Sequence, residues 1–214
     1  MAKGLRSTGS RPLRAQARGV SLIFVTGPVR SGKSRFAERL ASDAGGDVIY
    51  VATARADAHD PEWAARIAQH VARRPRNWRV IETAASPAVD VAELFAAATA
   101  AQTFLVDSLG TWLADRMSTR FENGGESEAT DEIALDAEIG DVVEAALATT
   151  ARAIVVGEEV GWGLVPPYRS GRVFRDVLGR AQQRLAANAS AAYLVVAGFA
   201  IDLKAIGKPV DPAP

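Results

Sequence analysis

The sequence predicts an α/β fold built as a doubly wound, mainly parallel sheet with helices on both faces. Three observations predict it. Short apolar, β-branched runs recur along the chain, separated by segments of helical periodicity, the alternation that produces βαβ units. Those runs are apolar throughout rather than at every second residue, as strands are when both sheet faces are covered. The first run leads straight into Gly27-Pro28-Val29-Arg30-Ser31-Gly32-Lys33-Ser34, which fits the phosphate-binding pattern G-x-x-x-x-G-K-S/T between a strand and a helix. The fold expected is therefore P-loop NTPase-like, with ligands outside the carboxyl ends of the strands.

Each element has its own warrant. Leu22-Ile23-Phe24-Val25 is the first strand; Phe36, Ala37, Leu40 and Ala41 then recur at helical spacing through Asp43, and Gly45-Gly46 stops the helix. Val48 to Ala52 is the second strand, ending at Thr53. Asp60-Pro61-Glu62 opens a helix, with Asp as N-cap and Pro at the first helical position. It runs to about Arg73 and ends before Pro75. Trp78 to Glu82 is a third strand, less uniformly apolar and so nearer a sheet edge. Val89 to Ala98 reads as helix and Thr103 to Asp107 as a buried strand ending in a carboxylate. Leu109 to Met117 and Asp131 to Ala148 read as helices, and Ala153 to Val156 as a strand. The Gly/Pro-rich loop Gly157 to Pro167 follows, then a long Arg-rich helix from Tyr168 to Ala187. Ala192 to Val196 is the last buried strand, and Phe199 to Ile206 adds a short edge element.

Composition narrows the class. A chain of 214 residues with 48% hydrophobic and 23% charged residues suits one globular domain. The expected division is a disordered basic tail over 1–20, one nucleotide-binding catalytic domain over 21–207, and a frayed tail over 208–214. The net charge of zero offers no overall field for nucleic acid. The absence of cysteine excludes disulfides and thiolate metal sites. No apolar stretch approaches a membrane span, and the basic start lacks the apolar core of a secretory signal; a cytoplasmic protein is expected. Residues 1–20 carry Lys3, Arg6, Arg11, Arg14 and Arg18 without an acid, which reads as a solvated tail, with a nucleic-acid or membrane arm as the sharper alternative. Between Glu122 and Glu144 there are nine acids and no base; Asn123-Gly124-Gly125 reads as a mobile loop opening an acidic, solvated helix.

The chemistry follows from position. Gly27 and Gly32 let successive N–H groups turn toward phosphate oxygens, and the start of the next helix adds its positive end. Lys33 is placed to reach the β- and γ-phosphates, and Ser34 to hold the Mg²⁺ of ATP or GTP. Asp107, ending its strand, is either the second carboxylate of that metal site or the cap of the next helix, a role Ser108 can take instead. On the helix from Pro61, Arg66, Arg73 and Arg74 stand four before, three after and four after His70. Guanidiniums gathered there would bind phosphate and favour a neutral, nucleophilic imidazole; a solvated basic face fits the same pattern. His59 has no such sequence neighbours. Glu82 ends the third strand at the ligand edge. Glu158 and Glu159 precede Val160-Gly161-Trp162-Gly163, which reads either as a closing loop flexing at its glycines or as a plain connection. Arg169, Arg172 and Arg175 suit phosphate binding or pairing with acids equally.

These motifs together resemble the bifunctional adenosylcobinamide kinase/adenosylcobinamide-phosphate guanylyltransferases of cobalamin synthesis, from about Leu22 to Lys204. The resemblance lies in the extended phosphate loop through Arg35, Ala37 and Glu38, in Tyr50-Val51-Ala52-Thr53, and in Ala65-Arg66-Ile67 with His70, Arg74-Pro75 and Trp78. It continues in Glu159-Val160-Gly161 with Gly163 and Val165-Pro166, then Arg169, Phe174-Arg175-Asp176, Gly179-Arg180 and Gln183-Arg184-Leu185-Ala186. It implies that ATP or GTP phosphorylates adenosylcobinamide, that GMP passes from GTP onto His70, and that GMP then moves to the phosphorylated corrinoid. It also implies catalytic His70 and Lys33, metal-holding Ser34 and Asp107, and a homotrimer. The implied nucleotide site is Gly27, Pro28, Val29, Arg30, Ser31, Gly32, Lys33, Ser34, Ala52, Thr53, Ala54, Val71, Ala72, Arg73, Arg74, Glu82 and Asp107. Three positions depart from the family pattern: Pro28 replaces a usual Gly, and Glu158 and Gln182 each replace a usual Asn. The competing readings are a monofunctional P-loop small-molecule kinase and a nucleotide-dependent switch or nucleic-acid-binding ATPase.

Overall fold

The computed structural model describes residues 22–55, 59–84, 89–121 and 129–210. The basic segment 1–20, the Asn123-Gly124-Gly125 loop and most of the expected C-terminal tail, 211–214, lie outside the described residues. The elements are β1 (Leu22–Thr26), α1 (Lys33–Ala44), β2 (Asp47–Ala52), α2 (Pro61–Arg73), β3 (Arg79–Glu82), α3 (Val91–Ala96) and β4 (Gln102–Asp107). Then come α4 (Leu109–Phe121), α5 (Ala129–Ala148), β5 (Arg152–Val156), α6 (Arg169–Asn188), β6 (Ala191–Val196), β7 (Phe199–Asp202) and α7 (Leu203–Ile206). The strands form one seven-stranded sheet in the order β3-β2-β4-β5-β1-β6-β7. Every pairing is parallel except β6 with β7.

Successive strand residues point to opposite faces, so each uniformly apolar strand feeds two cores. On one face Phe24, Ile49, Val51, Phe104, Val106 and Val155 pack with α3, α4, α5 and α6 through side chains such as Phe95, Leu113, Ile139 and Leu178. On the other, Val25, Val48, Tyr50, Leu105, Ile154 and Val156 meet Phe36, Ala37 and Ala41 of α1. The third strand is at an edge, as its mixed composition indicated.

Several boundaries move for local reasons. The expected helix 89–98 shortens to α3 because Asp90 is its N-cap, accepting from the N–H groups of Ala92 and Glu93. Tyr168 is an extended N-cap, so α6 begins at Arg169. Beyond Met117 nothing breaks the periodicity, and α4 continues to Phe121. The expected edge element 199–206 divides into antiparallel β7 and the single turn α7, which Asp202 caps. The acidic helix is not simply solvated: Glu132 and Asp136 pair with Arg180, Glu138 with Arg120, and Glu144 with Arg184. Its apolar side, including Leu135, Ile139 and Val143, is buried.

Two features frame the ligand edge. The turn between β6 and β7, at Ala197 and Gly198, touches the phosphate loop, with the Gly198 N–H donating to the Ser31 carbonyl at 2.9 Å. Helix α2 carries an apolar stripe yet buries none of its residues; Trp63, Ile67 and Val71 face the cavity described next.

Candidate active site

The phosphate loop leaves the carboxyl end of β1, with β5 on one side of that strand and β6 on the other. At Gly27 a Cβ would stand 2.2 Å from the Val195 carbonyl oxygen, so the close approach of loop to β6 admits only hydrogen there. Gly32 holds φ of 96° at the N-cap of α1, a left-handed conformation that glycine adopts without strain. The Pro28 carbonyl accepts from the Ser31 N–H at 3.3 Å.

Asp107, at the tip of β4, is the junction of the site. Its Oδ1 accepts from the Ser34 hydroxyl at 3.1 Å, and its Oδ2 accepts from the Tyr50 hydroxyl at 2.6 Å. His70 Nδ1 stands 3.6 Å from the same Oδ2. Burial pushes the Asp107 carboxyl up, but His70, Tyr50 and Ser34 together hold it below the usual range. Burial and the Asp107 charge push the Tyr50 phenol far up, so it remains a donor. Asp107 does not cap α4. Ser108 Oγ accepts from the Thr111 N–H at 3.3 Å, while the Glu158 carboxylate accepts from the Gly110 N–H at 3.0 Å and from the Ser108 hydroxyl. Burial raises the Glu158 carboxyl, against the lowering pull of Ser108 and Lys33.

The three arginines expected around His70 line the same cavity as the imidazole, and each also has a partner elsewhere. Arg74 lies past the end of α2 in an extended conformation, imposed before Pro75, so it does not continue the helix face. Its guanidinium instead lies 3.7 Å from the centre of the Tyr50 ring. Arg73 pairs with Glu38 of α1 at 3.2 Å, and Arg66 with Glu62 at 3.5 Å. The imidazole faces the Asp107 carboxylate. Glu38, His70 and Asp107 bring ligand atoms within 4.8 Å of one another.

Tyr50, His70, Asp107, Glu158 and the three arginines share one cavity of about 850 Å³, a size suited to a nucleotide. Of the sequence-predicted residues, Val29, Arg30, Ser31, Gly32, Lys33 and Ser34 line it from the loop, and Ala52, Ala54, Glu82 and Asp107 from the strand ends. His70, Val71 and Arg73 line it from α2, and Arg74 from just past its end. Four others do not line it. Gly27 is buried against β6 and Pro28 is half-buried behind the loop. Ala72 is exposed on the far side of α2, and Thr53 is fully buried, tying β2 to β4 by accepting from the Ser108 N–H at 2.7 Å. Tyr50 and Trp63 also stand in the wall, and neither is among the sequence-predicted site residues. Tyr50 had one signal, since it is two residues from Ala52 and therefore on the same strand face.

The loop after β5 is hydrogen-bonded to the helix that follows it. Arg175 donates to the carbonyls of Leu164, Gly161 and Gly163, and Arg172 to those of Pro166 and Pro167. These two arginines donate to the loop backbone. The two Asn replacements meet: the Gln182 side-chain amide donates to the Glu158 carbonyl at 2.9 Å and accepts from the Thr26 hydroxyl at 2.9 Å.

The family described as cobinamide kinase / cobinamide phosphate guanyltransferase matches residues 23–203. The chain belongs to this family. It is 40% identical over 193 residues to the bifunctional adenosylcobalamin biosynthesis protein CobU of Salmonella typhimurium, covering 86% of this chain and 99% of that protein. The CobU protein of Escherichia coli is 36% identical, with 86% and 99% covered. The CobP protein of Pseudomonas aeruginosa, named likewise as bifunctional, is 37% identical, with 87% and 98% covered. Membership makes the chain a bifunctional kinase and guanylyltransferase, and the monofunctional and switch readings give way. Among solved structures, the type III secretion ATPase EscN of enteropathogenic E. coli aligns with TM-score 0.53 at 10% identity, over 83% of this chain and 43% of that one. A second type III secretion ATPase aligns with TM-score 0.52 at 10% identity, over 89% and 59%. At that identity the likeness concerns the fold alone.

Proposed function

We propose that one cavity serves both reactions of the family, with His70 carrying GMP between them. The observation that carries this reading is the position of His70, in the wall of the nucleotide cavity and 3.6 Å from the carboxylate that also engages Ser34. In the first reaction the phosphate loop and Lys33 cradle the nucleotide's phosphates, and the γ-phosphoryl group passes to the hydroxyl of adenosylcobinamide. In the second, His70 attacks the α-phosphorus of GTP. A phosphoramidate forms as pyrophosphate leaves, and the phosphate of the phosphorylated corrinoid then displaces the imidazole to give adenosylcobinamide-GDP. With Nδ1 turned to Asp107, Nε2 is the nitrogen left for attack.

The donor set suits Mg²⁺. Ser34 Oγ and Asp107 Oδ1 are oxygen ligands 3.1 Å apart beside the loop. These two residues would hold the ion of the Mg-nucleotide, which neutralises phosphate charge when bound. The nucleotide contacts proposed are the loop residues Val29 to Ser34, with Ala52, Ala54, Val71, Arg73, Arg74, Glu82 and Asp107. A homotrimer and a cytoplasmic location are proposed on the family resemblance. No helix among the described residues is long and apolar enough to cross a membrane.

The test is incubation with GTP labelled at the α-phosphate, followed by denaturation. Acid-labile, alkali-stable label on the wild type and none on His70→Ala supports the reading. Kinase turnover without covalent GMP on the wild type overturns it.

A further inference from the structure

One buried side chain joins the two halves of the site and belongs to neither. Tyr50, near the end of β2, is 1% exposed. Its hydroxyl donates to Asp107 Oδ2 at 2.6 Å, the oxygen that faces His70 Nδ1. Its ring stacks with Trp78, the planes inclined at 27° and the centroids 6.3 Å apart. The Arg74 guanidinium lies 3.7 Å from the ring centroid, and its Nε has no hydrogen-bond partner in this setting. What holds that end of Arg74 is thus the aromatic face.

The location of Arg74 gives this contact its consequence. It is the C-cap of α2, directly after the turn that bears His70, and α2 buries none of its own residues. Such a helix has no core to fix its height above the phosphate loop. Its C-terminal end is tied by two adjacent arginines, Arg73 to Glu38 and Arg74 to Tyr50. Only the second tie reaches a group that also touches Asp107.

We infer that Tyr50 is a positioning residue for this enzyme: its hydroxyl fixes the Asp107 oxygen facing His70, and its ring seats the end of the helix that delivers His70. The inference rests on the reading of His70 as the GMP carrier. It makes Tyr50 the link between phosphate loop and nucleotidylated histidine, acting through Asp107.

Two variants separate the two contacts. Tyr50→Phe removes the hydroxyl and keeps the ring; Arg74→Leu removes the guanidinium from an end of α2 outside the core, and Arg74→Lys restores a cation. Single-turnover transfer of labelled GMP to the protein is measured against GTP concentration, beside γ-phosphoryl transfer to the corrinoid. Tyr50→Phe is expected to slow both transfers about tenfold, the loss of roughly one hydrogen bond to a charged group, with half-saturating GTP changed less than about twofold. Arg74→Leu is expected to slow GMP transfer by a similar factor, with partial recovery in Arg74→Lys. Should Tyr50→Phe fail to fold, the Arg74 pair decides. Both variants transferring GMP at the wild-type rate overturns the positioning role while leaving His70 as carrier. A wild type that takes no label removes the carrier and the inference with it.

Discussion

Gly27→Ala tests whether the phosphate loop is held against the sheet as closely as the structure requires. The new Cβ would meet the Val195 carbonyl oxygen at 2.2 Å and Ser31 Oγ at 2.9 Å. An ordinary carbon–oxygen contact needs about 1 Å more than the first of these. The serine side chain can turn aside, but the carbonyl belongs to β6, where Val195 is buried. Either β6 or the loop must shift by about 1 Å, overpacking that costs about 3 kcal/mol. For a chain of this size that is a fall in Tm of roughly 6–12 °C. The loop is the softer side, so nucleotide affinity falls too. Gly163→Ala is the control, since a Cβ there meets nothing within 4 Å. Thermal denaturation followed by circular dichroism, with nucleotide titration by calorimetry, reads both effects. Gly27→Ala matching wild type in Tm and affinity would refute the packing argument.

Three further outcomes are expected. Ser34→Ala removes the hydroxyl that engages Asp107; kinase turnover should fall about a hundredfold or more and need more Mg²⁺, and unchanged Mg²⁺ dependence would contradict the assignment. Arg175→Ala frees the carbonyls of Gly161, Gly163 and Leu164; limited proteolysis should cut the 161–167 loop faster, with a loss of about 1 kcal/mol in stability, and wild-type cleavage rates would show the ties to be idle. Glu158 has its carboxyl raised above the ordinary 4.5, chiefly by burial, so its ionisation opposes folding. The stability it contributes is present below 4.5 and lost as pH rises through the raised value. Glu158→Gln cannot ionise and should gain stability on wild type from acid toward pH 8, read from urea midpoints; a difference independent of pH would be the contrary result.

Much of this molecule was legible in its sequence because the physics was local. The strand runs announced a sheet covered on both faces, and the glycine loop between strand and helix announced phosphate binding. The Asp60-Pro61 start of α2 was found as expected. What escaped depended on tertiary placement. Helical spacing grouped Arg74 with His70, but the bend before Pro75 carried Arg74 onto Tyr50 instead. Tyr50 read as a core strand residue, and it is one; only the approach of β4 brings Asp107 to its hydroxyl. Glu38 entered only as part of the family's extended phosphate-loop pattern, with no sign that it is buried and anchors Arg73. Glu158 stood out as a departure from family pattern, without a hint that its carboxylate caps α4. The Arg-rich start of α6 offered phosphate or acids as partners, and backbone carbonyls of the preceding loop took two of the three arginines.

The central claim is that a histidine on α2 and the phosphate loop form a single nucleotide-handling site. The most direct measurement is peptide mapping by mass spectrometry after brief exposure of the full chain to GTP and Mg²⁺, with denaturation and digestion kept alkaline. The account predicts one GMP, on the peptide containing His70, and its loss when the phosphorylated corrinoid is added. GMP on Lys33 or another residue, or no adduct under conditions that support kinase turnover, would contradict it.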